Sequence, residues 1–486
     1  MRPQPLLAGS PLHLPRRRVP ARDRIIAVGA AVLIAGAVLG HGTANAAPFG
    51  SPGGSSDGGP SGSLIPEKFD NSALVTEDQR RQEALARKVL DTGVMHRAIE
   101  QTKMHYAADP RGSTPSGQAN ISRAANSMAA TAVLATLGED TDRPVLTWAT
   151  TAAHRYKGLD MPNSGYGIEN PDNVYRQTLF AGNSQYEIRG KKADPGPVQF
   201  NFEVRDAIPG TTVLTPEAGK QIASLSDNQI HFEQDGTFVV TVSSEPANGR
   251  PNHLQIPADG TVFMVVRDLL NDWSRELPTK LEVARTAGPP AAAPRSVDQL
   301  ATRSAETLSK IGPFWTSYFN TYVYVSPANT LIPVRERPGG RGLSTNGWFD
   351  LADDQAFVIT VDPVGAESLG IQITDPWALA YEYRERTSSL NTTQSKPNQD
   401  GTYTFVISKN DPGVANWLDP SGNSAGLIAI RWQELSSAPS VDRAVRSVEV
   451  VRVGDLPATL PKMSPEQRAI QNAQRAENYD HRMMKN

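Results

Sequence analysis

A short run of charged side chains late in the chain has the residue types that hold an anion. It comprises Glu382, Arg384 and Arg386, with Asn391 shortly after them. If the run is a strand, alternation places Tyr381 and Tyr383 on one face and the three charged side chains on the other. Guanidinium groups beside an amide suit a carboxylate, sulfate or phosphate. The alternative is a solvent-facing row of ion pairs, each of which contributes little to stability.

Asparagine next to an aromatic residue is a second recurring pattern. The pairs are Asn173 with Tyr175, Asn346 with Trp348, and Asn416 with Trp417. Aromatic faces beside amides suit sugar rings or flat apolar ligands, because they combine stacking with hydrogen bonds. We therefore predict that the first two pairs contribute to a ligand site. The alternative is that asparagine caps turns while the ring packs in a core, and their matching places in a repeat favour this structural role.

Other groupings of reactive residues give weaker signals. Residues 422–426, GNSAG, match the G-x-S-x-G of a nucleophile elbow, but a strand-like segment follows instead of a helix. The only later histidine is His481, so we predict a turn here. The neighbouring Asp353 and Asp354 are expected to be solvated. Catalytic residues stay unassigned.

The sequence contains few residues that could bind a metal ion or a cofactor. Cysteine is absent, which excludes thiolate metal sites, iron–sulfur clusters and disulfides. His231 and His253 fall in one β region, but no tight cluster of histidine and carboxylate accompanies them. We therefore predict no metal and no cofactor.

The overall composition is that of a globular chain of about three domains. Of 486 residues, 38% are hydrophobic and 20% are charged, with 48 basic against 51 acidic side chains. Duplex nucleic acid usually requires a strong positive excess. Nucleic acid is therefore excluded as the expected partner.

Residues 1–46 have the three-part order of a secretory signal peptide. Arginines between positions 16 and 24 precede the uncharged stretch 25–40, and Ala44-Asn45-Ala46 forms a cleavage signal. The sequence predicts a protein exported to the medium or the cell envelope, with no membrane span left after cleavage. The alternative is an uncleaved N-terminal anchor. The apolar stretch is slightly shorter than a spanning helix prefers, which makes the anchor the second choice. The Gly/Ser/Pro-rich residues 47–66 follow as a flexible linker.

Helical patterns flank the rest of the chain. A helical region is predicted over 67–162, beginning with a capping box at Thr76 and Gln79, and including helices at 121–137 and 145–156. A linker helix is predicted within 289–312, ending near Lys310. A C-terminal helix and tail occupy 461–486, and the tail is expected to fray.

From about residue 163 the pattern changes to short alternating runs broken by turn residues. One pattern occurs twice in the same order: Asp-Gly-Thr-aromatic at 235 and 400, then asparagine, leucine, proline and a final arginine at 267 and 431. Strand follows strand without a helical crossover, which favours antiparallel sheets. We predict a mainly β chain with two related antiparallel β-sandwich domains at 163–288 and 313–460. Arg267 and Arg431 are interpreted as structural.

These stretches resemble a bacterial family known as domain of unknown function 1214 (DUF1214). The resemblance lies in NPDNVY at 170–175 and YEIRG at 186–190, and in the run from DGTY at 400–403 to RW at 431–432. Residues 375–404 are similar to secreted actinobacterial-type proteins. The resemblance implies a jelly-roll-like β-sandwich. It implies no established activity and no catalytic residues to carry over.

The sequence favours a binding protein over an enzyme. We expect an exported double sandwich that binds a small organic or glycan ligand. The alternatives are an extracellular hydrolase or lyase acting on a polymer or lipid, and a cell-surface scaffold. A pocket in which Glu169, Asp172, Tyr175 or His231 meets Glu382 and Arg384 would favour an enzyme, because catalysis requires an acid, a base and a polar anchor to converge.

Overall fold

The computed structural model describes residues 63–65, 72–156, 158–337, 342–435 and 441–483. The predicted signal peptide, and all of the predicted linker except residues 63–65, lie outside the described residues. Those three residues form strand β1 (Ser63–Ile65), which pairs with β3 (His154–Tyr156), and β3 pairs in turn with β4 (Leu159–Met161).

Three helices precede the sandwiches, and a threonine begins each one. They are α1 (Glu77–Leu90), α2 (Gly93–Ala108) and α3 (Pro115–Leu137). The hydroxyls of Thr76, Thr92 and Thr114 accept backbone N–H groups of the first turns at 3.1, 3.3 and 3.0 Å. Such caps satisfy N–H groups that have no partner inside the helix. The helix start predicted at Thr76 is confirmed.

The helix predicted over 145–156 is wrong. This segment instead contains β2 (Thr147–Thr150) and β3. β2 is fully buried and pairs with the first long strand of the first sandwich, β5 (Asn173–Ala181). Two threonines and Trp148 suit a pleated, buried strand. The pairing of β2 with β5 therefore outweighs the helical pattern of the local sequence.

The first sandwich has eight strands of its own. They are β5, β6 (Gln185–Lys191), β7 (Gln199–Arg205), β8 (Gln221–Ser226), β9 (Thr237–Ser243), β10 (His253–Gln255), β11 (Thr261–Leu269) and β12 (Lys280–Ala287). Its large sheet has the order β2-β5-β11-β7-β8, and its small sheet has the order β10-β9-β6-β12. All these pairs are antiparallel except β9 with β10.

The second sandwich repeats this plan. Its strands are β13 (Thr330–Leu331), β14 (Arg335–Glu336), β15 (Leu343–Asp350), β16 (Gln355–Val361), β17 (Ala366–Thr374), β18 (Ser389–Asn391), β19 (Tyr403–Ser408), β20 (Trp417–Leu418), β21 (Ala425–Leu435) and β22 (Val445–Arg452). The large sheet runs β13-β15-β21-β17-β18, with β14 also on β15, and the small sheet runs β20-β19-β16-β22. The order β5-β11-β7-β8 corresponds to β15-β21-β17-β18, and β10-β9-β6-β12 to β20-β19-β16-β22. The predicted fold of two related, mainly antiparallel sandwiches is confirmed.

The repeated sequence pattern makes the same local contacts in both copies. Asp235 and Asp400 each accept the backbone N–H and the hydroxyl of the threonine two residues later. Asn252 holds both backbone groups of His231, at 2.7 and 2.8 Å. Asn416 holds the backbone of Lys396 in the same way, at 2.8 Å for both bonds. The structural alternative for Asn416 is thus the one its contacts support.

Three further helices join these parts among the described residues. They are α4 (Val297–Tyr322), α5 (Val441–Ala444) and α6 (Pro465–His481). α4 continues well past its predicted end near Lys310, with Pro313 inside it, because its apolar face stays buried against α3 as far as Phe319. As far as Met483, where the described residues end, the tail is packed rather than frayed as predicted. Tyr479 and Met483 are buried in a cluster with Trp273 and Tyr383.

Candidate ligand site between the two large sheets

The outward faces of the two large sheets lie against each other, and we call this contact the seam. Gln433 of β21 donates to the side chain of Gln199 of β7 at 3.0 Å. Asn391 of β18 donates to Asp172, just before β5, at 2.8 Å and to the backbone of Asn271 at 2.9 Å. The seam is therefore a polar contact between the two copies of the repeat.

Arg267 and Arg431 lie at the same position of the two copies and face the seam. Arg267 of β11 lies opposite Tyr175 of β5, and Arg431 of β21 lies opposite Ser344 of β15. Directly opposite residues of an antiparallel pair project from the same face. The duplicated arginine, interpreted as structural from the sequence, thus borders the contact between the sandwiches.

The two arginines have different partners. Arg267 pairs with Glu203 of β7, and Glu203 also accepts from Arg205 at 2.5 Å. Arg431 donates to the amide oxygen of Gln372 of β17 and to the carbonyl of Ile168, both at 2.5 Å.

Glu203 and Gln372 are equivalent residues. The first lies opposite Val265 and the second opposite Ala429, and each of these precedes its arginine by two positions. Within the described part of the chain, no carboxylate forms an ion pair with Arg431.

The pKa values of the two arginines are shifted in opposite directions. Burial alone would lower the pKa of Arg267, but attraction by Glu203 outweighs it and the pKa is raised. Burial lowers the pKa of Arg431, and the attraction of Tyr175, Asp172 and Glu169 does not offset it. A buried charge without a paired counter-charge is the costlier arrangement.

A cleft of about 730 Å³ opens at one end of the seam. One wall is the end of β7 and the segment that follows it, with Arg205 and Lys220, and the other is β14 and β15, with Arg335 and Ser344. Ser344 is the residue directly opposite Arg431, but the Arg431 guanidinium bonds to Gln372 on the strand at the other side of β21, and Arg431 does not line the cleft. Ligand pockets typically have volumes of roughly 300–1,000 Å³.

Asn173 and Tyr175, both predicted as ligand residues, lie at the seam. The Tyr175 hydroxyl accepts from the backbone N–H of Asn170 at 3.1 Å and from the side chain of Asn173 at 3.4 Å. The Tyr175 ring lies 5.7 Å from the Arg267 guanidinium carbon. Both residues shape the turn that enters β5 and border the paired arginine.

Asn346 and Trp348 do not correspond to Asn173 and Tyr175, so that match between the copies is wrong. Asn346 lies opposite Ala429 as Gln177 lies opposite Val265, which makes Asn346 the equivalent of Gln177. The short asparagine-plus-aromatic pattern is shifted along the strand relative to the register.

The two residues of this pair have different surroundings. Trp348 donates to the carbonyl of Ser326 at 2.7 Å and packs against Tyr324, with ring centroids 5.2 Å apart. Asn346 is partly buried on the same face of β15 as Ser344.

The run from Tyr381 to Arg386 is not a strand, so the predicted alternation of a sheet does not apply. Arg384 donates to both carboxylate oxygens of Asp480 in α6, at 2.9 and 2.7 Å. Arg386 pairs with Asp419 at 3.0 Å, and Glu382 accepts the backbone N–H of Glu385 at 3.0 Å. These charged side chains bind the protein's own groups, and none of them lines the cleft.

Glu169 and Asp172 come close to the seam but do not meet Glu382 and Arg384 in the cleft. One oxygen of Glu169 accepts from the backbone of Ala380 at 3.0 Å, and the other is buried with no hydrogen-bond partner in the described residues. Burial raises the pKa of Glu169 to about 7. Asp172 is buried, accepts from Asn391 and Trp273, and has a pKa raised by burial.

The remaining sequence motifs fall outside this site. The GNSAG segment is a turn, as predicted, that leads into the first two residues of β21, with Gly422 at φ +77°. In the part of the chain that the structure covers, no group of three or more His, Cys, Asp or Glu side chains is arranged to hold a metal ion. Over the same residues, no helix has the length and apolar content of a membrane span.

Comparison with known proteins identifies the first copy of the repeat. Residues 172–270 match the model of a family described as "Protein of unknown function (DUF1214)". The resemblance seen in the sequence is therefore confirmed for most of the first sandwich. A search of curated proteins found no significant relative.

One solved structure supports the fold. The chain is similar to an uncharacterized protein from Burkholderia cenocepacia, with a TM-score of 0.61 and 21% identity, over 76% of this chain and 100% of that one. The VPA0106 protein from Vibrio parahaemolyticus overlaps with a TM-score of 0.36 and 9% identity, over 76% and 99% of the two chains. The second overlap is too weak to support an argument.

Sequence reasoning missed that the duplicated arginines Arg267 and Arg431 face the seam. The available signal was the final arginine of each repeat, combined with strand alternation. Aligning β7 with β17 would have shown that Glu203 and Gln372 are equivalent residues. The first copy has a carboxylate at this position and the second has an amide.

Proposed function

We propose that the protein binds a small organic or glycan ligand in the cleft between its two large sheets. The observation that carries this proposal is the cleft of about 730 Å³, whose walls come from both copies of the repeat. Its size suits a ligand of a few sugar or aromatic rings.

The polar groups at the cleft support binding because they are held in place. Arg205 donates to Glu203 and to the carbonyls of Glu217 and Gly219, at 2.5 and 2.8 Å for the carbonyls. Asp206 accepts the backbone N–H of Lys220 at 2.9 Å. Side chains fixed by such bonds lose little entropy when they contact a ligand, which favours affinity.

An extracellular hydrolase or lyase is the second candidate, and Glu169 is the observation that favours it. A carboxyl group with one oxygen unpartnered and a pKa near 7 suits proton transfer at neutral pH. Under this alternative, Glu169→Gln abolishes turnover of a sugar polymer or lipid ester while the ligand still binds. An unchanged rate in that variant would remove the enzyme alternative.

We also propose that the protein is exported, on the basis of the predicted signal peptide at residues 1–46. Mass spectrometry of culture medium and cell envelope should find a chain that begins after Ala46. A chain that retains Met1 would contradict cleavage and favour the uncleaved anchor. A cell-surface scaffold would instead co-purify with envelope partners and show no ligand-dependent change in stability.

Thermal denaturation with a panel of compounds tests the binding proposal. We expect at least one of glucose, N-acetylglucosamine, glucuronate, acetate, benzoate or octanoate to raise the melting temperature, because a ligand of the native state stabilises it. Ser344→Trp fills the cleft wall and should abolish that rise. Ser447→Trp, on the exposed strand β22, is the matched control and should retain it. No shift with any compound, or an equal shift in Ser344→Trp, would contradict the proposal.

A further inference from the structure

We infer that the first sandwich has a second ligand site, which takes a small uncharged molecule with one ring and one hydroxyl or carbonyl oxygen. The site is a cavity of about 330 Å³ that shares no lining residue with the cleft between the large sheets. The two sites are therefore independent of each other, and each is tested separately.

The cavity lies between the edges of the two sheets of this sandwich. β2 is an edge strand of the large sheet, and β12 is an edge strand of the small one. Trp148 of β2 and Arg176 of β5 form one side, and Leu281 and Val283 of β12 form the other. Leu74 and the start of α1 line the rest of it. The open mouth of a β-fold is one of the places where small ligands bind.

Arg176 supplies a polar group to this cavity, although its side chain is almost completely buried. One terminal nitrogen of its guanidinium donates to the carbonyl of Thr279 at 2.6 Å, and the other pairs with Asp268. The Nε–H of Arg176 is buried without a hydrogen-bond partner in the described residues, and so is the hydroxyl of Thr279. An unsatisfied buried donor is costly, and a ligand oxygen would satisfy it.

The charges around the cavity favour an uncharged ligand. Asp268 already neutralises Arg176, so the remaining N–H requires an acceptor but no counter-charge. Three acidic and three basic side chains line the cavity: Glu77, Asp78, Glu282, Arg81, Arg176 and Lys280. A charged ligand would lose its hydration there without finding an excess of opposite charge.

The walls of the cavity suit a ring. Apolar surface comes from five side chains: Leu74, Leu146, Trp148, Leu281 and Val283. The Trp148 indole stacks on His154, with ring centroids 6.1 Å apart, which holds the indole in place. Aromatic side chains bind flat ligands through stacking and the burial of apolar area. The volume lies at the lower end of the range for ligand pockets, roughly 300–1,000 Å³, so it has room for one ring with a short substituent.

The second sandwich has different residues at the position of the ion pair. Trp432 follows the final arginine of its repeat as Asp268 does, and Thr345 takes the place of Arg176. The Trp432 indole is completely buried and donates to the carbonyl of Asp362 at 2.8 Å. Replacing a buried ion pair with well-packed apolar side chains is often neutral or stabilising. The first sandwich keeps the ion pair and the cavity instead, which favours a role in binding over a role in stability.

Anomalous scattering from bromine locates the site. Crystals of the full chain soaked in 4-bromobenzyl alcohol should show bromine in this cavity, with the hydroxyl oxygen of the compound toward Arg176. Crystals soaked in 4-bromobenzoate or 4-bromobenzylamine at the same concentration should show no bromine there, because both compounds are charged at neutral pH. Absence of bromine from the cavity with the alcohol, or equal occupancy by a charged analogue, would overturn the inference.

Titration calorimetry with benzyl alcohol tests the same site in solution. Val145→Trp fills the cavity wall and should weaken binding by about tenfold or more. Ser447→Trp, on the exposed strand β22, is the matched control and should bind as the wild type does. Unchanged binding in Val145→Trp would overturn the inference.

The two sites fail in different ways. Ser344→Trp, which changes the cleft, should bind benzyl alcohol as the wild type does, and loss of binding in this variant would overturn the inference. A rise in melting temperature that Ser344→Trp abolishes, with no benzyl alcohol in the cavity, would leave the cleft proposal intact and overturn the second site.

Discussion

Arg267 and Arg431 occupy the same strand position in two copies of one sandwich, and both border the seam between the copies. Their surroundings differ: Glu203 pairs with the first, and the amide of Gln372 bonds to the second. The duplicated fold thus keeps an ion pair at this position in one copy and a hydrogen bond to an uncharged amide in the other.

Replacing Glu203 by Gln should destabilise the protein by about 3 kcal/mol, because removing one partner of a buried ion pair leaves the other charge unpaired. Both Arg267 and Arg205 lose their carboxylate in this variant. Urea denaturation measures the change. Glu187→Gln, which breaks the exposed pair with Arg189, is the control and should change stability by less than about 0.5 kcal/mol. A loss below about 1 kcal/mol for Glu203→Gln would show that the first copy does not need its carboxylate.

The clamps at Asn252 and Asn416 should be individually necessary for stability. Each asparagine makes two side-chain bonds to one backbone segment, so Asn416→Ala should cost about 1–3 kcal/mol. Asn252→Ala should cost more, because Asn252 has φ +52°, where alanine is strained. Asn410→Ala, on an exposed turn, is the control and should be nearly neutral. Equal, small effects in all three variants would contradict a structural role for the repeated asparagine.

His154 should make the protein less stable as the pH rises above neutrality. Its ring lies between Glu83, at 3.1 Å, and the carbonyl of Ala152, at 3.0 Å, and only the protonated ring donates to both. Burial alone would lower the pKa of His154, but Glu83 and Ala152 outweigh it and the pKa is raised above 6.5. Stabilisation is therefore full below pH 6.5 and is lost as the pH passes through the folded-state pKa. Melting temperatures from pH 6 to 9 should fall more steeply for the wild type than for His154→Gln, and parallel curves would refute this.

Glu169 should add a second pH dependence in a lower range. Its pKa of about 7 in the folded state exceeds the ordinary value of 4.5, so the native state retains a proton that the unfolded chain releases. Stability should then fall by about 3 kcal/mol between pH 4.5 and 7, at 1.36 kcal/mol per pKa unit. Chemical denaturation at several pH values measures this, and Glu169→Gln should remove the fall. If the free energy of unfolding changes with pH in the same way in the wild type and in Glu169→Gln from pH 4.5 to 7, Glu169 is not a buried, unpaired carboxyl.

The sequence predicts local structure here better than it predicts contacts between distant parts. The caps at Thr76 and Ser296 and the turns at Asp235 and Asp400 depend on neighbours two or three residues away, so their patterns are visible in the chain. The strand at Thr147–Thr150 depends on β5, which is distant in sequence, and the helical pattern there was misleading.

The candidate site is harder to predict for the same reason. The cleft forms only because the second sandwich lies against the first, and no local sequence pattern indicates that contact between distant segments. The run from Glu382 to Arg386 has suitable residue types, but α6 supplies Asp480 to Arg384 from nearly a hundred residues away. Careful alignment of the two repeats does recover the equivalence of Glu203 and Gln372, because this equivalence follows from the register of the strands.

A crystal structure of the wild-type chain with whichever screened compound raises its melting temperature most is the most direct test of the account. The account predicts density for the compound in the cleft between Arg335 and Arg205, in contact with both walls. The compound bound inside one sandwich core or on an outer strand would contradict it.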